Sequence, residues 1–437
     1  MVSHADGSHS IQAADWAQFG RRGDVSHTTV IDGYVHPDFS KVAGIFHHQI
    51  ERNSGGAAVA VYHRGELVVD LWGGTRNGHD APWTRDTLAM CFSTTKGVAS
   101  TALHLLADRG LVDYDAPVAT YWPEFAQNGK EGITVRHVLS HSAGLHRFAT
   151  IVDRSSRSLD WQYMADALAR SAPSYRPGTS VGYHGLTFGW LVGEIVRRVS
   201  GKPIDQFVRE ELAGPLGVDG LHIGCPPEAR ERIAPLQPMA FPRLPGPLQP
   251  VLNVVGIPFS YLLSAAGSPI NPRRIANVFG VRSMEDVIYS PAILDCAMPA
   301  VNGFFDAVSL GAMYAMLAGG GALNAVRLLS ERSVQRLSEI QNDQRDRVIM
   351  VPMQWRLGYH RLVGTGLHGG FGHFGLGGSG GWADPDHDAA LAMVCNRGSG
   401  TPIGDLRIVK LTNAVADILR RRSTNRTLPP LAGGTAS

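Results

Sequence analysis

Phe92-Ser93-Thr94-Thr95-Lys96-Gly97-Val98 is the stretch on which the reading of this chain turns. Val98, Leu103 and Leu106 follow at helical spacing, and Gly110 stops the run. The spacing predicts a helix that opens at Ser93 and places Lys96 one turn later on the same face. A serine hydroxyl is a poor nucleophile until a base takes its proton. A lysine whose pKa is lowered by desolvation or by nearby cations can be that base. The start of a helix adds unpaired N–H groups and a positive dipole end, which suit an oxyanion. Ser-x-x-Lys also arises by chance, with the serine as an N-cap and the lysine solvated. The chain has only Lys41, Lys96, Lys130, Lys202 and Lys410, so this placement carries some weight, but the motif alone leaves both readings open.

Before this stretch, Val42, Ile45, Phe46 and Ile50 mark an amphipathic helix over Phe39–Asn53, ended by Gly55 and Gly56. Ala57–Tyr62 and Leu67–Trp72 read as a hairpin turning at Arg64-Gly65. The other strand-like segments lie near the far end: Gln354–Leu362, Phe371–Gly375 and Ala389–Val394. The last two are expected to join through a turn around Asp384-Pro385-Asp386. A closing helix is expected over Leu406–Arg421, with a basic end that its dipole favours. Between Thr84 and Glu339 the chain reads as helices joined by Pro- and Gly-rich loops. A sheet is thus assembled from both chain ends, with a helical domain inserted between them. The expected division is an N-terminal extension over 1–38, a discontinuous sheet domain over 39–83 and 346–422, an inserted helical domain over 84–345, and a disordered tail over 423–437. Ligand sites commonly lie in the cleft where such parts meet.

Composition narrows the classes of function. The chain has 437 residues, 44% apolar and 18% charged, as an ordinary soluble enzyme does. Its formal net charge of +2, with scattered basic residues, gives no nucleic-acid footprint. Cys91, Cys225, Cys296 and Cys395 are far apart and show no metal-ligand spacing, so neither a metal, another cofactor nor a disulfide framework is expected. Met1 to Val30 contains no apolar core of a secretory signal, which points to the cytoplasm. Val251–Ile270 is uncharged, but Gly256, Pro258, Gly267 and Pro269 interrupt it, so no membrane span is expected.

Further motifs decide between the readings of Ser93. Asp115-Ala116-Pro117-Val118 and Tyr121-Trp122-Pro123-Glu124-Phe125 lead into Ile133-Thr134-Val135-Arg136-His137-Val138-Leu139-Ser140-His141-Ser142-Ala143-Gly144-Leu145. Val181-Gly182-Tyr183-His184-Gly185 follows, and His373-Phe374-Gly375 stands near the end. From Phe39 to Arg421 this series resembles the serine β-lactamase-like superfamily, in particular class C β-lactamases and family VIII carboxylesterases. The resemblance implies an α+β fold of the β-lactamase/transpeptidase kind, with an antiparallel sheet flanked by helices. It also implies that Ser93 attacks an acyl carbonyl. Tyr183, as phenolate or through a proton shared with Lys96, would be general base and then acid. The N–H groups of Ser93 and Leu376 would form the oxyanion hole, and His373 and Gly375 would border the substrate. His137 and His141 are expected to hold their loop together.

Two positions depart from the β-lactamase pattern. Gly185 stands where the family has the Asn of Tyr-x-Asn, and His373 where it has a lysine. Without an amide-orienting group or a permanent cation, cleavage of β-lactams or D-amino-acid peptides should be poor. Neutral esters need neither group. The expected function is a carboxylesterase or lipase-like serine hydrolase acting on a small-molecule ester, with an apolar acyl group. Acyl transfer, β-lactam or D-peptide cleavage, and an inactive binding or sensor protein are the rivals. Gly377-Gly378-Ser379-Gly380-Gly381 matches a nucleophile elbow, but turn chemistry follows instead of a helix. Gly364 to Gly369 matches a dinucleotide fingerprint with no helix after it. Leu236–Pro272, rich in Pro and apolar residues, reads equally as a packed connection or as an acyl-pocket lining or lid.

Overall fold

A computed structural model describes residues 30–52, 55–237, 284–362, 366–398 and 406–424. The readings of Val251–Ile270, of Leu236–Pro272 beyond residue 237, and of the tail beyond 424 lie outside the described residues.

In chain order the strands are β1 (Ile31–Val35), β2 (Gly56–His63), β3 (Glu66–Gly74), β4 (Ala89–Met90), β5 (Leu221–Ile223), β6 (Gly303–Phe305), β7 (Ala322–Leu323), β8 (Val326–Arg327), β9 (His360–Arg361), β10 (Phe371–Phe374), β11 (Gly380–Asp384) and β12 (Ala389–Cys395). Seven of them form one sheet in the order β1-β3-β2-β12-β11-β10-β9. Every neighbouring pair is antiparallel, and the two chain ends meet where β2 pairs with β12.

Residues of β2 and β12 alternate between two faces, as the strand period of two requires. Ala58, Ala60, Tyr62, Ala390, Ala392 and Val394 join one apolar cluster. Ala57, Val59, Val61, Ala389, Leu391 and Met393 join another. Both faces are therefore covered. On the second, helix α1 (Ser40–Glu51) brings Val42, Phe46 and Ile50, and the closing helix Leu406–Thr424 brings Ile408, Leu411, Val415 and Leu419. On the first lies the helix Ala307–Ala318, apolar around most of its circumference and almost wholly buried. The helix sits close because β11 offers glycine there; a Cβ on Gly381 would run into the Tyr314 ring. Beyond it, helix α2 (Thr95–Asp108) packs on the helix Thr187–Ser200.

The structure corrects several expectations. Ile31–Val35 is not part of an extension but the edge strand β1, paired with β3. The turn at Pro385 joins β11 to β12, so a strand at Gly380–Asp384 was missing from the reading; its two glycines hid it. Of Gln354–Leu362 only His360–Arg361 is strand, because Gln354 takes φ +50° and turns the chain out of the extended region. The middle of the chain is not helix alone, since β4, β6 and β5 form a small sheet and β7 and β8 a hairpin. The helix Ala307–Ala318, inside the stretch read as inserted, covers the large sheet. The closing helix runs through Thr424, into the stretch read as tail. Among the described residues, no helix is long and apolar enough to cross a membrane.

Candidate active site

The nucleophile turn is held from both sides. A 3-10 turn over Phe92–Thr94 leads straight into α2, leaving Ser93 one turn before Lys96. Phe92 takes φ +46°, a conformation rarely adopted by residues other than glycine and one that concentrates at functional sites. Cys91 N–H donates to the Gly303 carbonyl at 2.8 Å. Thr95 Oγ1 donates to the Phe92 carbonyl at 2.6 Å and accepts from Gly303 N–H at 2.9 Å. β6 thus braces the turn that presents Ser93.

Three groups converge there. Lys96 Nζ lies 3.0 Å from Ser93 Oγ and 3.2 Å from the Ala300 carbonyl. Tyr183 Oη lies 2.9 Å from the same Oγ. Lys96 is fully buried, and burial holds its pKa well below the ordinary lysine value. Burial also raises the Tyr183 phenol, the Ser93 hydrogen bond lowers it, and the negative charge of Asp346 adds to the rise. The phenolate that the resemblance implies as one form of Tyr183 would need a charged Lys96 beside it. Desolvation opposes both halves of that picture and favours a neutral amine beside a neutral phenol. A neutral amine carries a lone pair that can receive the serine proton, and a phenol carries a proton that it can give.

Tyr183 lies on an irregular segment and is fixed by its neighbours. Its N–H donates to Asp346 Oδ1 at 3.2 Å. Its ring stacks on Trp355, with centroids 5.5 Å apart and planes 6° from parallel, and lies 5.0 Å from the His141 ring. His141 Nδ1 accepts from His184 N–H at 3.1 Å, and its carbonyl accepts from Gly182 N–H at 3.0 Å. His137 forms a reciprocal cap with Thr134 at the start of the helix Val135–Leu139. Both histidines make hydrogen bonds that shape the loop.

His373 sits on β10, almost fully buried, with its ring 6.3 Å from Tyr183 and 4.9 Å from His360. Nδ1 lies 3.0 Å from the Phe374 carbonyl, which can only accept, so Nδ1 carries the proton and Nε2 is left a lone-pair acceptor. Burial, with His360 and Lys96 nearby, holds the ring well below the ordinary histidine pKa. Gly375 brings the end of β10 against the nucleophile turn, because a Cβ there would meet the Cys91 carbonyl. Its N–H donates to the Ser379 carbonyl at 2.7 Å, and Leu376 is 46% exposed. The Ser379 hydroxyl is buried and accepts from Cys395 N–H at 3.3 Å. Gly366, His368 and Gly369 are bends, and the strand β10 follows them where a helix would be needed.

Ala300, Asp346 and Trp355 were not found by sequence reasoning. A backbone carbonyl has no sequence signal, and the other two sit in an irregular segment without periodicity.

The geometry agrees with what similar proteins are. A family model described as Beta-lactamase matches residues 39–414. The esterase/beta-lactamase LipL of Mycobacterium tuberculosis is 39% identical over 412 residues, which is 91% of this chain and 88% of that protein. A solved family VIII carboxylesterase superposes with a TM-score of 0.74 at 34% identity, covering 89% of this chain and all of its own. A penicillin-binding protein homolog from Caulobacter crescentus gives 0.77 at 32% identity, with coverage of 89% and 100%.

Proposed function

This chain belongs to the beta-lactamase family and is a serine hydrolase, and from that premise we propose that it cleaves carboxylic esters through an acyl-Ser93 intermediate. The observation that carries the roles is the convergence of Lys96 Nζ and Tyr183 Oη on Ser93 Oγ, at 3.0 and 2.9 Å.

The neutral Lys96 amine accepts the Ser93 proton as Oγ bonds to the acyl carbon. The carbonyl oxygen becomes an oxyanion, received by the N–H groups of Ser93 and Leu376. The C–O bond to the alcohol then breaks, and Tyr183 gives its proton to the departing oxygen. Lys96 returns a proton to Tyr183, so the hydrogen that began on serine has, in net, left with the alcohol. Water repeats the sequence in reverse order of groups and frees the acid.

The substrate is a neutral ester with an apolar acyl group. Burial disfavours the charged form of His373, so this ring, standing where the family has a lysine, is a poor partner for a substrate carboxylate, and Gly185 has no side chain to orient an amide. A second reading, β-lactam cleavage, is favoured by the double name of the Mycobacterium tuberculosis relative. The two separate in one assay. Turnover of short and medium p-nitrophenyl esters should exceed that of nitrocefin by roughly a hundredfold or more, a difference of about 3 kcal/mol in transition-state binding. Comparable rates on the two would favour the second reading.

A further inference from the structure

We propose that Asp346 is a positioning residue for this reaction, its buried carboxylate fixing Tyr183 against Ser93 through the Tyr183 backbone and through Trp355. The inference rests on the role given above to Tyr183.

Asp346 opens the turn at 347–349, and Oδ1 accepts from Val348 N–H at 2.7 Å and Ile349 N–H at 3.0 Å. That is ordinary turn chemistry for an aspartate, and one oxygen suffices for it. The remaining contacts reach outside the turn. Oδ1 also accepts from Tyr183 N–H at 3.2 Å, and Oδ2 accepts from the Trp355 indole N–H at 3.1 Å. The Trp355 bond sets the rotation of the indole, and the near-parallel stack passes that setting to the Tyr183 ring. Arg347 N–H donates to the Val181 carbonyl at 2.9 Å, strapping the same two segments together. Val181, Tyr183, Val348 and Trp355 form an apolar cluster separate from the two large ones. Tyr183 therefore takes its place from this small assembly, and Asp346 is the polar group that joins its parts.

The two oxygens make the role separable from simple turn capping. In Asp346→Asn, Oδ1 can keep all three backbone N–H bonds. Nδ2 then faces the indole N–H, donor against donor. Trp355→Phe removes the opposing N–H and keeps a ring for Tyr183 to stack on. Displacing a reacting group by about 1 Å can cost on the order of a hundredfold in rate, so Asp346→Asn should lower kcat about thirty- to a hundredfold, with KM changed less than about threefold. Trp355→Phe alone, which loses the bond to Oδ2 without setting donor against donor, should cost about five- to tenfold, and Asp346→Asn/Trp355→Phe should be at least about threefold faster than Asp346→Asn.

The measurement is steady-state hydrolysis of a p-nitrophenyl ester by the four proteins, with Tyr183→Phe run beside them. Asp346→Asn within threefold of the parent, or a double variant no faster than Asp346→Asn, overturns the inference. If Asp346→Asn melts below the assay temperature, Trp355→Phe is compared with Trp355→Leu. A larger loss with leucine supports placement through the ring, and equal losses overturn it. A fully active Tyr183→Phe would remove the role of Tyr183 itself. An inactive Tyr183→Phe beside an active Asp346→Asn would remove only the positioning.

Discussion

Ser93→Ala is expected to lose ester hydrolysis by on the order of ten-thousandfold or more, as removal of a nucleophile does, while the melting curve stays near that of the parent. The substitution removes one half-buried oxygen from a turn held by Cys91, Thr95 and Gly303, so nothing in the brace is lost. Ser379→Ala is the matched control. Its hydroxyl accepts from Cys395 N–H at 3.3 Å and lies 3.7 Å from Cys395 Sγ, bonds that hold the strand ends, so turnover should stay within a few-fold of the parent. Near-normal rates in Ser93→Ala, with rates lost in Ser379→Ala, would move the nucleophile to the glycine-rich strand.

Lys96→Met and Tyr183→Phe should each remove most of the activity, and the double variant should be little worse than either. Both groups touch the same oxygen and exchange one proton, and groups that act as a unit are strongly non-additive. Independent losses that multiply would assign them separate tasks. The pH dependence has a definite sign. The reaction needs the unprotonated amine, whose pKa burial holds well below the lysine value, so activity should be lost as pH falls through that lowered, jointly owned pKa. The same burial bears on stability. The unfolded chain binds the lysine proton that the fold disfavours, so this site makes the protein more stable as pH rises toward the ordinary lysine pKa. Lys96→Met abolishes that dependence and should raise the melting temperature at neutral pH. A stability difference between parent and Lys96→Met that stays constant with pH would contradict a neutral buried amine.

Much of this was legible in the sequence, for physical reasons that differ by element. Ser93, Lys96 and Tyr183 could be singled out because ordered motifs surround them, and the structure brings all three within hydrogen-bond reach. The hairpin β2–β3 and helix α1 were legible through their periodicity. β1 was not, since five residues with a glycine and an aspartate among them give no clean alternation. β11 was hidden by its two glycines: a Cβ on Gly381 would strike Tyr314 of the helix Ala307–Ala318, and one on Gly380 would strike Ile408 of the closing helix. That helix was read as inserted because sequence order says nothing of which layer a helix covers. Of the electrostatics of the pair, a lowered lysine pKa could be stated only as a condition for Lys96 to act as base, and the raised Tyr183 phenol could not be read at all. The pKa directions of Lys96 and Tyr183 come from burial, a property of the assembled site. Asp346 and Trp355 escaped because their contacts with Tyr183 span more than 160 positions of chain, with no local pattern to announce them.

Peptide mapping by mass spectrometry after treatment with a fluorophosphonate tests the central claim most directly. The protein should gain one phosphonyl group, located on the peptide that carries Phe92-Ser93-Thr94, with fragmentation placing the added mass on Ser93. A label on Ser379, or full ester turnover in a protein that takes up no label, would contradict acylation at Ser93.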